Sequence, residues 1–460
     1  MGTSDKHNRE AALLELGERV VKQARARGAD VAEAVVREGA HLSVKVRKGE
    51  PELVEEAGSR AVGLRVMLGS RVAVTHTNDL TGAGLERLVD DALDVVRLSE
   101  PDTFAGPPDA ALLSRRSEHV HLDLVDPEMG AMDAAGAIDR AQRGERAAFD
   151  HDARITNSEG ASFTRIAGGG VLVTSGGFAG FTEGTYASIV VRPVVSDEGG
   201  KNRVGSHWSA RRHLAELDAP EAVGKEAAVR TLRKLGARKV DTQQAPVIFD
   251  PDAARSIVGT FAGCLLGGSI WRKSSYLVGR EGSVVASPLV RMVDDPLLRR
   301  GPGSRPYDGE GLLSRRTVVV DGGVLKTYLL DSYSARKLGK ESTASAARGG
   351  SGGVSASTSN FLLEPGTTSP EEIVRSTKRG LYVTDMMGFG FNAVTGDFSR
   401  GASGFWIENG ELAFPVSEVT ISLNLDEMLK RIDAVGTDLD LRTSTASPTF
   451  RVSEMTIAGK

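Results

Sequence analysis

Phe405-Trp406-Ile407-Glu408-Asn409-Gly410-Glu411-Leu412-Ala413-Phe414 sets two short apolar runs on either side of Asn-Gly. An Asn-Gly pair supplies the two positive φ angles that a tight antiparallel turn needs, so the stretch predicts a β-hairpin. The same grammar recurs upstream: residues 317–320, then Asp321-Gly322-Gly323, then residues 324–329. Ser369-Pro370-Glu371-Glu372 places serine at an N-cap, proline at the first helical position and glutamate at the third, which is a helix start. Gly349 to Ser359 (GGSGGVSASTS) is of low complexity and predicts a mobile loop. Residues 239–460 therefore predict a glycine-rich, mostly antiparallel β domain with a few helices.

Two further segments precede it. In residues 1–110, Leu13, Leu16, Val20 and Ala24 recur at helical spacing, and Gly28 stands where a C-terminal cap belongs. Leu42, Val44 and Val46 alternate with polar residues as a half-buried strand does. Val62 to Leu68 alternate again, and Gly69-Ser70 turns the chain into residues 72–74. Leu85, Leu88, Val89, Ala92, Leu93 and Val96 form a second helical stripe, and a linker follows from Glu100 to Asp109. Residues 111–238 predict a middle α/β segment of helix, several strands and helix. The fold class expected is α+β in three parts, bounded at 110 and 238.

Composition narrows the function. The 460 residues are 40% hydrophobic and 26% charged, with 54 glycines and a net charge of −4, which gives no electrostatic reason for a nucleic-acid or anionic-membrane partner. The N-terminal stretch lacks the apolar core of a signal peptide, and no run approaches the ~18 apolar residues of a membrane span. Cys264 is the only cysteine. These features predict a cytoplasmic protein without disulfides.

Few residues suggest chemistry. A zinc hydrolase needs about three protein ligands and a nearby carboxylate, yet none of the eight histidines lies in HExxH and none follows His213. His119, His121 and Asp123 would share one face of a strand as metal ligands do, but an amphipathic strand with Val120, Leu122 and Leu124 behind it explains the pattern equally. Cys264 has no cationic neighbour in sequence, which favours a buried structural thiol over a nucleophile. Gly349-Gly350-Ser351-Gly352-Gly353 matches GxSxG without the strand and helix that a serine elbow requires. Arg400, among glycines ahead of an aromatic strand, could present its guanidinium to a carboxylate or peptide carbonyl, or brace its own loop.

The longest motifs carry a resemblance. They are Asp294-Asp295-Pro296-Leu297-Leu298, Gly303-Ser304-Arg305-Pro306-Tyr307-Asp308-Gly309-Glu310-Gly311, Leu329-Leu330-Asp331-Ser332-Tyr333-Ser334-Ala335-Arg336, and Val394-Thr395-Gly396-Asp397-Phe398-Ser399-Arg400-Gly401 with Gly404-Phe405-Trp406. Through them the chain resembles the TldD/PmbA family, in particular its TldE (PmbA) branch. The match is dense from Ala245 onward and collinear upstream.

That resemblance implies a division of labour. TldD-type chains hold zinc through an HExxxH segment and a later cysteine, and TldE-type chains share the fold without those ligands. Laid on this sequence, the two histidines fall on Gly259 and Cys264 and the glutamate on Thr260. No histidine or glutamate occurs from 251 to 280, and residues 434–447, where the later cysteine would lie, contain none. The resemblance thus implies a non-catalytic subunit with no cofactor of its own. Its TldD-type partner would hold zinc and hydrolyse unfolded or leader peptides in a chamber closed by both chains. Arg400, Trp406, Asp331, Tyr333 and Arg336, from the densest motifs, become the candidate channel or interface residues. The rival readings are a stand-alone hydrolase working at Cys264 or His119/His121, and a peptide-binding or regulatory module without a peptidase partner.

Overall fold

The computed structural model describes residues 3–460. Helix α1 (Thr3–Ala26) leads into β1 (Val31–Arg47), β2 (Glu50–Leu68) and β3 (Arg71–Thr77), and then into α2 (Gly82–Leu98). Lys48 and Gly49, both at positive φ, close the β1–β2 hairpin. After the short α3 (Pro127–Ala131), α4 (Ala134–His151) precedes β4 (Ile155–Thr174), β5 (Ala179–Ser196), β6 (Asn202–Val204), β7 (His207–Arg211) and α5 (Pro220–Leu232).

All seven strands form one antiparallel sheet in the order β3-β2-β1-β4-β5-β6, with β7 also on β5. The join is the pairing of β1 with β4, which runs from Glu33↔Thr174 to Val46↔Ala161. Segments 1–110 and 111–238, distinct in sequence, therefore share one sheet. Even-numbered residues of β1 point to one face. Ala34 and Val36 meet Leu13, Val20, Leu88 and Val89 under α1 and α2. Leu42, Val44 and Val46 meet Phe163 and Ile189 under α4 and α5. The two helix pairs lie side by side on this face, and the opposite face, carrying Glu33, Val35, Arg37 and Gly39, is left for the rest of the chain.

The third segment starts with β8 (Gln243–Phe249), α6 (Pro251–Leu265) and α7 (Gly267–Trp271). There follow β9 (Met292–Asp294), β10 (Thr317–Asp321), β11 (Val324–Leu325), α8 (Ser332–Leu338), β12 (Ala346–Arg348), β13 (Val354–Ala356), β14 (Phe361–Leu363) and α9 (Pro370–Arg375). The chain ends with β15 (Arg379–Met387), β16 (Asp397–Glu408), β17 (Glu411–Asn424), α10 (Leu425–Lys430), β18 (Ile432–Val435), β19 (Thr445–Ala446) and β20 (Phe450–Ala458). Strands β17-β16-β15-β8-β20 run in that order and β17 pairs back onto β20, closing a ring. A second sheet runs β11-β10-β9-β14-β19. As expected, most pairs are antiparallel; β8–β15 and β14–β19 are parallel. Asn409-Gly410 and Gly322-Gly323 both sit at positive φ in their hairpins, and Ser369 and Glu372 make the reciprocal capping box.

Two local expectations fail. Residues 119–124 are not a strand: the chain leaves a 3₁₀ turn at Arg116–Glu118 and stays irregular, with Asp123 at φ 55°. Its polar groups find separate partners, His119 stacking on Tyr307 at 4.9 Å and Asp123 pairing with Arg299 and Arg300 at 2.8 and 2.6 Å. The GGSGG segment is the turn of an ordered hairpin, β12–β13. Its tip packs on β2 so closely that a Cβ on Gly63 would come within 2.5 Å of the Gly350 carbonyl oxygen.

Candidate functional site

Helix α6 organises the site. Asp250 caps it, accepting from the Ala253 N–H at 2.9 Å, and Pro251 begins it. Its apolar positions, among them Ile257, Val258, Phe261 and Leu265, sink into the largest core, beside Phe249, Trp406 and Phe450. Ser256, Gly259, Thr260 and Gly263 remain outside that core at spacings of three and four, so they form one open stripe. A Cβ on Gly259 would lie 3.7 Å from Thr445 Cγ2. The structure thus brings the 434–447 segment against Gly259.

The donor set on this helix does not fit a zinc ion. Gly259 offers no side chain. Thr260 turns its hydroxyl inward to donate to the Ser256 carbonyl at 2.8 Å. Cys264 is 2% exposed, in the core rather than on the stripe, and burial pushes its thiol up to about 11. Among the described residues, no three His, Cys, Asp or Glu side chains gather as a metal would require. Since the thiolate is the reactive form, an alkylating reagent at about pH 8 should label Cys264 only after unfolding. Mass spectrometry of native and denatured samples checks this. Cys264→Ala should cost about 1–2 kcal/mol of stability through the small void it leaves.

Arg400 faces the open stripe. It lies within β16 rather than in a loop, and its guanidinium donates to Ser256 Oγ at 2.9 Å while lying 5.3 Å from the Phe398 ring centroid. Its Nε is buried without a partner, and desolvation lowers its pKa. A guanidinium with unused donors beside this partly exposed stripe can hold a carbonyl or carboxylate oxygen.

The other four candidates lie elsewhere. Trp406 is 2% exposed in the core, so it cannot line a channel wall. Asp331 is buried as the N-cap of α8, accepting from the Ser334 N–H at 2.9 Å. The Tyr333 hydroxyl donates to Asp102 at 2.6 Å. Arg336 donates to the carbonyls of Phe104, Gly106 and Pro107 at 2.6, 2.8 and 3.2 Å. Together Tyr333 and Arg336 pin the expected linker to the third segment.

Sequence reasoning missed Ser256, Thr445 and Asp250. The first two lack any local signature. Asp250 was legible as a cap before a proline, but its burial was not. That burial, with Asp252 and Asp385 nearby, pushes its carboxyl up to about 7. The folded chain then holds a proton there that the unfolded chain has lost, so Asp250's effect on stability is most favourable below about pH 4 and declines as pH rises to about 7. Asp250→Asn keeps the cap and should flatten that decline, seen by comparing melting temperatures between about pH 5 and 8.

The sequence matches PmbA/TldA metallopeptidase domain 1 over residues 32–96, its central domain over 127–235 and its C-terminal domain over 242–459. Metalloprotease PmbA of Escherichia coli O157:H7 is 37% identical over 431 residues, covering 94% of this chain and 93% of that protein. The chain belongs to the PmbA/TldD family. The Haemophilus influenzae metalloprotease PmbA homolog is 34% identical over 97% of this chain and 98% of its own length, and the same organism's TldD homolog is 23% identical over 87% of each. TldE from Thermococcus kodakarensis has the same fold, with a TM-score of 0.86, 21% identity, and coverage of 96% of this chain and 100% of that one. Among the described residues, no helix of this PmbA/TldD-family chain is long and apolar enough to cross a membrane.

Proposed function

We propose that this chain is the non-catalytic, TldE-type subunit of a two-subunit peptidase. A TldD-type partner supplies the zinc and the hydrolytic chemistry, and this chain completes the chamber that holds an unfolded or leader peptide. The carrying observation is the partly exposed stripe of α6, where Gly259 and Thr260, which the resemblance sets at ligand positions, offer no metal donor, Cys264 is turned into the core, and Arg400 reaches across to Ser256. Such a surface binds and orients without activating water. Peptide backbone laid along it would meet the Ser256 hydroxyl and the Arg400 guanidinium, which select for carbonyl and carboxylate oxygen and ignore most side chains. The presence in Haemophilus influenzae of both a PmbA and a TldD homolog supports the pairing.

Assaying an unfolded peptide with the chain alone, with an HExxxH homologue alone and with the two mixed tests the proposal. Turnover is expected only in the mixture. Hydrolysis by the chain alone would instead favour a stand-alone hydrolase, and turnover by the homologue that the chain leaves unchanged would favour an unrelated binding module.

A further inference from the structure

A cavity of about 530 Å³ lies between the helix-free face of the seven-stranded sheet and the Gly303–Gly311 motif. Glycines make up an unusual share of its floor. Gly39 of β1 pairs with Gly168 of β4, and Gly168 pairs with Gly184 of β5, so one glycine row crosses three strands. Glycine inside strands weakens a sheet and tends to mark a place where another molecule comes close.

Most of the arginines around this floor have no direct carboxylate contact among the described residues. Of the four arginines lining it, only Arg348 has a carboxylate partner, Glu33 at 2.7 Å. Arg212 is satisfied by carbonyls alone, those of Gly301, Pro302 and Thr185 at 2.8, 2.6 and 3.2 Å. Among the described residues, Arg37 donates only to the Arg348 carbonyl. Arg305 makes no side-chain hydrogen bond or ion pair among the described residues, and its Nε is buried without a partner. The lining carboxylates make their direct contacts elsewhere: Glu38 with Arg9 and Arg60, Asp308 with the N–H groups of Glu310, Leu312 and Ala346, and Glu183 lies 3.8 Å from Arg9, while Asp308 acts on Arg305 only at longer range. Burial lowers the pKa of Arg37, Arg212 and Arg305 alike, and on Arg305 it outweighs the opposing pull of Asp308 and Asp294, neither of which comes within ion-pair distance of it. A desolvated cation without a counter-ion is costly, and a planar fork with free donors matches a carboxylate.

We infer that this cavity is a carboxylate-binding site, in which Arg305, assisted by Arg37, holds the carboxylate of a peptide over the glycine floor. The carboxylate can come from a chain terminus or from an acidic side chain. Arg212, whose Nη1 would lie 2.6 Å from a Cβ on Gly184, adds charge at the edge of the floor while three of its five N–H donors are held by carbonyls. This inference concerns binding by this chain alone and stands whether or not the chain works beside a zinc-bearing partner.

Calorimetric titration of the full chain tests it, with three probes: N-acetyl-trialanine, its C-terminal amide, and N-acetyl-aspartate amide. The acid should bind saturably and at least about tenfold more tightly than the amide. Tighter binding of the aspartate probe than of the trialanine acid would assign the site to acidic side chains, and the reverse to chain termini. Arg305→Gln should weaken the preferred probe by about tenfold or more, with Arg305→Lys losing part of the affinity for want of the fork. Should Arg305→Gln fail to fold, Arg37→Gln, which gives up only one bond to a carbonyl, must show the loss instead. Failure of both carboxylate probes to bind more tightly than the trialanine amide, no saturation of any probe by about 20 mM, or unchanged affinity in folded variants would overturn the inference.

Discussion

Replacing Glu33 by alanine is expected to destabilise the protein by about 3–5 kcal/mol, because it leaves two buried guanidiniums without their carboxylate. Glu33 is 1% exposed and receives Arg65 at 3.0 Å and Arg348 at 2.7 Å. Arg65 stands directly across from it on β2, whereas Arg348 arrives from β12, more than three hundred residues away in sequence. Arg348 also donates to the carbonyls of Gly309 and Gly352. One carboxylate thus fastens the first sheet to the third segment. Burial pushes its pKa up, but Arg348 and Arg65 outweigh that and hold it below the usual range. A depressed carboxylate contributes stability above its unfolded pKa and loses it as pH falls through the folded value, so the penalty of Glu33→Ala should shrink in acid. Denaturant melts at about pH 7 and pH 3 check both statements. Removing Glu52, whose pair with Lys45 is on the surface, should change little.

Arg400→Ala should lower peptide turnover by the assembled complex about ten- to a hundredfold, the worth of a charge-assisted hydrogen bond of about 1.5–3 kcal/mol. The expectation rests on a guanidinium that spends one donor on Ser256 and keeps its buried Nε unpaired. Lysine should restore only part, because an ammonium lacks the planar fork. Melting and assembly, measured on the same preparation, should stay near wild type. A fall in melting temperature with unchanged turnover per complex would make Arg400 a brace for α6 instead.

Local chemistry made parts of this fold legible. Asn409-Gly410 and Gly322-Gly323 announce hairpins because few other residues accept two positive φ angles in succession, and Ser369 with Glu372 marks a helix start by reciprocal bonding. The outer half of β2 was not legible. Residues 50–60 are exposed throughout, so no face of that stretch records burial as an alternation. Neither was the shared sheet, since β1 and β4 meet across two strands, a helix, a linker and two further helices, and nothing local encodes such a pairing. The glycine-rich loop misled for a related reason: low complexity suggests freedom, yet here small residues permit the close approach of Gly350 and Ser351 to Gly63. Of the candidate residues, Arg400 lies beside α6. Trp406, Asp331, Tyr333 and Arg336 sit in equally dense motifs because they build the core, a helix cap and the linker clamp. Motif density marks constraint, and only the structure separates packing from contact with a ligand.

The central claim is that hydrolytic chemistry lies outside this chain, and zinc content tests it most directly. The chain purified alone, dialysed against a mild chelator and then measured by elemental analysis, should retain well under about 0.1 zinc per molecule, because one buried thiol cannot hold the ion against competition. About one zinc per molecule, held through dialysis and lost with peptide-cleaving activity on stronger chelation, would contradict the account.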